Sequence, residues 1–259
     1  MRRFLFFILK IGQDRIFSPR IRADYTQEMG CCHWRFWYHI QVKLSLKPTP
    51  QFAGKFTMIG TVWFWLSLVI LGLIQPGYQP ARDTISILVV GKYGWIQQLN
   101  FWVLAMTVLI FGLGLSRAFY GRRWSSVSSL FGILSFGIID LIIFPADPRD
   151  ATQTALRAFH SIQGLMHIST VALMGLIMIG LAVVVYRQLA KKPDWHQLQK
   201  VTFWLMSFGI IFGIFWMYCR YNGIFFLWKG LIQKIIVTDV LIWLWLMGRK
   251  LASLPEKNS

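Results

Sequence analysis

Four acidic or histidine side chains stand inside long apolar runs of this chain: Asp140, His160, His167 and Asp239. An ionisable group at bilayer depth costs about 3 kcal/mol or more, so such groups turn inward and mark polar sites. His160, Gln163 and His167 fall at i, i+3 and i+7, one face of a helix. Gly164 beside that face lets another helix approach closely. Three chemistries suit the set. One is an interhelical hydrogen-bond network that fixes packing. Another is a site for a small ligand, ion or proton, built from Asp140, His160, Gln163, His167 and Asp239. The third is the metal site of a membrane-embedded hydrolase, with His160, His167 and Asp147 as metal candidates. Its metal would be zinc, although histidines two turns apart have Cα atoms about 10 Å apart, where zinc helices offer i and i+4. Other aspartates within reach of that role are Asp83, Asp140 and Asp239. No cofactor is expected, and haem is disfavoured. Both helix histidines share one helix, whereas bis-histidine ligation needs facing helices.

The elements that position these residues are membrane spans. Six apolar stretches dominate: Phe56–Ile74, Phe101–Leu115, Val127–Phe144, Ala158–Tyr186, Val201–Tyr218 and Leu231–Met247. A bilayer core takes roughly 20 apolar residues per helix, and backbone groups in lipid must be satisfied within the segment. The fold class is therefore all-α: an up-and-down six-helix transmembrane bundle. Only 14% of residues are charged, against about a quarter in soluble domains.

The net charge of +17 does not point to nucleic acid, because its distribution is that of a membrane topology. Twenty of the 27 Lys and Arg fall in segments 1–55, 116–126, 187–200 and 248–259. The positive-inside rule then puts both termini in the cytoplasm. The expected location is the inner or plasma membrane, with anionic headgroups meeting the basic face. On this topology the candidate residues occupy the outer half of the bilayer. Tyr78, Asp83, Ser86 and Asp147 stand at the outer mouth. A nucleophilic role for Ser86 needs a positioned base.

The chain divides into a basic segment 1–55, the bundle 56–250 and a short tail 251–259. Residues 1–55 show no helical or strand period and read as a disordered extension, or as a start codon assigned too early. Cys31, Cys32, His33 and His39 do not match zinc spacing. On this topology Cys219 falls on the opposite side of the membrane from Cys31 and Cys32, and no disulfide between them is expected. Gln75 to Asn100 reads as a long amphipathic loop, on the membrane surface or folded over the bundle mouth. Phosphate loops, nucleophile elbows and His-Glu-x-x-His are missing.

Several motifs occur together: Gly77-Tyr78-Gln79-Pro80-Ala81-Arg82-Asp83-Thr84-Ile85-Ser86, Phe144-Pro145-Ala146-Asp147-Pro148, the stretch from His160 to His167, and Gly230-Leu231-Ile232-Gln233-Lys234. With these the chain resembles a family of uncharacterised prokaryotic membrane proteins, domain of unknown function 998, over about residues 56–250. That family follows Phe-Pro-x-Asp with a His-Gly pair. Here His160 precedes Ser161 and His167 precedes Ile168. The resemblance implies a multi-pass bundle and no particular activity. The leading expectation is a polar pocket opening outward between helices three, four and six. The alternatives are the metal-dependent hydrolase and a structural or interaction protein.

Overall fold

The computed structural model describes residues 49–147, 161–222 and 224–255. They form six long helices and, among the described residues, no strand. Helix α1 runs Pro50–Ile74, six residues ahead of the apolar run at Phe56. Thr49 starts it: its side chain accepts from the Phe52 amide, and Pro50 fills the first position, where no amide donor is needed. Helix α2 is Gly94–Tyr120, ended by Gly121 in the left-handed conformation at φ 69°. Ser125 and Ser128 cap each other's backbone at the start of α3, Ser126–Ile143. Helices α4, Ile162–Leu189, α5, His196–Asn222, and α6, Lys229–Ala252, follow. All six are long and apolar enough to cross a bilayer. The protein is a multi-pass membrane protein.

The helices form a ring in chain order. Each packs on its neighbours in sequence, α6 returns to α1, and α2 also touches α6. The ring is not uniform. In α2, 56% of the spanning window is buried, against 17% in α4 and in the span containing α5. The tight side owes its closeness to small residues. A Cβ on Gly54 of α1 would lie 2.4 Å from the Gly248 carbonyl oxygen and the Ala252 amide of α6. Small residues of this kind let transmembrane backbones approach without intervening side chains. Between α2, α3 and α6, Phe111, Phe131 and Trp243 pack ring on ring, with centroids 5.1 to 6.4 Å apart.

One expectation is corrected. Residues 94–100 are not part of the first loop but the opening turns of α2. Gln97 and Asn100 are buried there, which makes the segment read as polar while it sits inside the bundle. The rest of the loop carries a 3₁₀ turn, Ile85–Val90, with Ile85, Leu88 and Val89 buried. It packs against α1, α2 and α6. Residues 1–48 and 256–259 lie outside the described residues, and so does the greater part of the expected extension, with Cys31 and Cys32. Cys219 is buried and free.

Candidate functional site

The first polar cluster joins the loop to the start of α6. Lys234 donates to the backbone carbonyls of Asp83 at 2.7 Å, Pro80 at 2.8 Å and Gly230 at 3.4 Å. Its ammonium lies 5.2 Å from the centre of the Tyr78 ring. The Tyr78 hydroxyl donates to the Asp83 carbonyl at 3.1 Å. The Asp83 carboxylate, itself buried, accepts from the Gln79 amide at 2.7 Å and so closes its own turn. Gln233 accepts from the Ile85 amide at 2.8 Å, and the Leu231 amide donates to the Ala81 carbonyl at 2.8 Å. Gly230 makes this docking sterically feasible, since a Cβ there would come 2.2 Å from the Asp83 carbonyl oxygen. The loop is thus tied to α6 by side chains that answer its backbone donors and acceptors.

The second cluster joins α3 to α4. Asp140 accepts a short hydrogen bond from the Thr170 hydroxyl. His167 is buried, and its Nδ1 meets the Phe144 carbonyl at 2.9 Å. A carbonyl only accepts, so Nδ1 carries the proton. Asp147 accepts from the Ser161 hydroxyl and, at 3.3 Å, from the Ser161 amide. Ser161 in turn caps α4 by accepting from the Gly164 amide at 3.0 Å. A carboxylate at this helix start also meets the positive end of the helix dipole. Gly164 leaves the room for it: a Cβ there would stand 2.1 Å from an Asp147 oxygen. The histidine motif thus faces a Phe-Pro-x-Asp corner across the α3–α4 connection. Gln163 is exposed, one residue before Gly164 and four before the buried His167. His160 lies outside the described residues. Among those residues, no three His, Cys, Asp or Glu come together as a metal site would need.

The third feature is a cavity of about 630 Å³ among α3, α4, α5 and α6, reaching the buried sides of α1 and α2. Ser86 and Gln233 stand at its loop end, His167 and Trp216 line it too, and Trp243 and Leu244 lie deepest along α6. Its wall is overwhelmingly apolar. Among its lining residues Asp239 is the one carboxylate, and no Lys or Arg is present. Asp239 is only 7% exposed. It lies about 15 Å along α6 from Lys229, near the middle of the span. Across from it is Gly209 of α5, where a Cβ would stand 2.9 Å from an Asp239 carboxylate oxygen. No hydrogen bond to Asp239 occurs among the described residues. Asp140 is not on this cavity; His167, Asp239 and Ser86 are.

Residues 58–250 match the family described as "Protein of unknown function (DUF998)". The chain belongs to this DUF998 family. No curated protein and no solved structure matches it. The motifs that carried the resemblance occupy defined places in this DUF998 bundle. The Tyr-x-Pro loop and Gly230-x-x-Gln-Lys meet each other as the loop clamp. The Phe-Pro-x-Asp corner meets Ser161 and Gly164. Gln233 and Lys234 are site residues absent from the expected set, although both lie in the Gly230-Leu231-Ile232-Gln233-Lys234 motif. The available signal was a lysine inside the apolar run Leu231–Met247. Trp216 and Trp243 left no such signal, since tryptophan is common throughout this chain.

Proposed function

We propose that the protein binds or transports a small ligand through the cavity among α3, α4, α5 and α6. The entrance is at the loop end, on the outer side of a cytoplasmic or inner membrane, and both termini are cytoplasmic. One observation carries the reading. A cavity of ligand size, about 630 Å³, has few polar groups, Ser86, Gln233 and His167 toward the loop end, with Asp239 held in it at mid-span. Ligand sites in general are mostly apolar spaces with a few placed polar groups. Ionisable residues inside transmembrane bundles mark substrate or ion paths. The orientation rests on the Lys and Arg bias of the short connecting segments.

The test is cysteine accessibility in a variant with Cys31, Cys32 and Cys219 replaced by Ser. A membrane-impermeant methanethiosulfonate is added from outside to cells carrying Val237→Cys, on the cavity, or Ile242→Cys, exposed on the bundle surface. Labelling of Val237→Cys and not of Ile242→Cys is expected. No labelling of Val237→Cys, or labelling from the cytoplasmic side alone, overturns the reading.

A further inference from the structure

We infer that the occupant of this cavity is a lipophilic cation: an organic cation with an apolar body, its charge set against Asp239. The inference rests on the ligand-pocket reading above and names the ligand class. Three properties of the cavity lead to it.

The charge comes first. Asp239 is the one formal charge among the described lining residues, apart from a neutral or cationic His167. Neither Lys nor Arg lines the wall to compensate it, and no described donor satisfies it. A buried carboxylate without a partner is costly, and a bound cation removes that cost. An anionic ligand would deepen it.

The surroundings then exclude small inorganic cations. Those ions need several oxygen ligands to replace their water. Opposite the carboxylate is Gly209, and nearby along the wall are Ile236, Val240 and Met206, none with a side-chain oxygen. An organic cation needs no such shell, because its own carbon covers most of its surface.

The wall supplies the apolar body's partners. Met174, Met178 and Met206 line the space, and flexible thioether side chains adapt to varied shapes. Trp216 and Trp243 line it too. Their indole N–H groups are engaged elsewhere, with the Lys229 carbonyl and the Thr202 hydroxyl, each at 3.0 Å. What these rings give the cavity is therefore aromatic carbon, which attracts organic cations.

The experiment compares two probes of one size and shape and opposite charge. Radiolabelled tetraphenylphosphonium and tetraphenylborate are titrated onto the full chain in phosphatidylcholine nanodiscs, against empty nanodiscs. Saturable binding of tetraphenylphosphonium and none of tetraphenylborate is expected. Asp239→Asn should weaken it by about tenfold or more. Asp140→Asn, off the cavity, should leave it unchanged. Gly209→Val keeps the charge but puts a side chain against the carboxylate, and should weaken it too. Should Asp239→Asn fail to fold, as read by its melting temperature, Gly209→Val decides. Equal binding of both probes, binding of neither, or full affinity in the cavity variants overturns the cation assignment. If Val237→Cys is nonetheless labelled from outside, the pocket stands and only its ligand class falls. If it is not labelled, the pocket itself falls.

Discussion

Lys234 and Asp239 stand little more than a turn apart on α6, and the protein treats them in opposite ways. Three backbone carbonyls and an aromatic ring surround the lysine ammonium. The aspartate carboxylate has only an apolar wall and Gly209 across from it. Lys234 is half-buried near the helix start and Asp239 is buried at mid-span. Their partners separate them. A charge whose hydrogen-bonding capacity is used up within the chain holds the fold together. A charge left without partners beside a cavity is the one the proposed ligand would meet.

The comparison can be broken first at the clamp. Gly230→Val forces a side chain into the Asp83 backbone, and the loop must leave α6. A loss of about 3 kcal/mol of stability is expected, the upper end for overpacking. It is read as a lowered melting temperature in detergent, together with new protease cleavage between Gln75 and Tyr93. Lys234→Met keeps the stem and removes the ammonium, leaving the Asp83 and Pro80 carbonyls short of a donor. About 2 kcal/mol is expected, and the same two measurements check it. The smallest effect belongs to the cavity. Asp239→Leu removes an unpartnered buried carboxylate, so in ligand-free protein stability should change by less than about 1 kcal/mol or rise. A loss as large as that of Lys234→Met would show that Asp239 has a structural partner, and would erase the distinction between the two charges.

Hydropathy made the six spans legible, because each helix is long and apolar enough to cross a bilayer. It misjudged α2, whose first turns hold Gln97 and Asn100. Those side chains face other helices rather than lipid, and a linear measure of polarity cannot tell the two apart. That helices three and four are neighbours followed from the up-and-down order. Which groups meet there did not. Asp140 finds Thr170 and His167 finds the Phe144 carbonyl, because the rotation of each helix about its own axis selects the partner. The cavity was least legible of all. It is a shortfall of packing between α4, α5 and the rest of the ring, and no residue type encodes a space.

The contact between α1 and α6 has a consequence for how the protein is made. Gln51 at the start of α1 donates to the Leu254 and Pro255 carbonyls just past α6, at 3.1 and 2.9 Å. The Gly54 face meets Gly248 and Ala252 directly below. The first of the six described spans therefore has as its partner the sixth. At translation rates of about 5–20 residues per second, α1 waits on the order of ten seconds or more in the bilayer with its small-residue face uncovered. During that time the native neighbours available to it are the loop turn Ile85–Val90 and α2. A chain cut short before α6 would keep five inserted helices yet leave that face open, ready to pair with the wrong helix or to be recognised by membrane quality control.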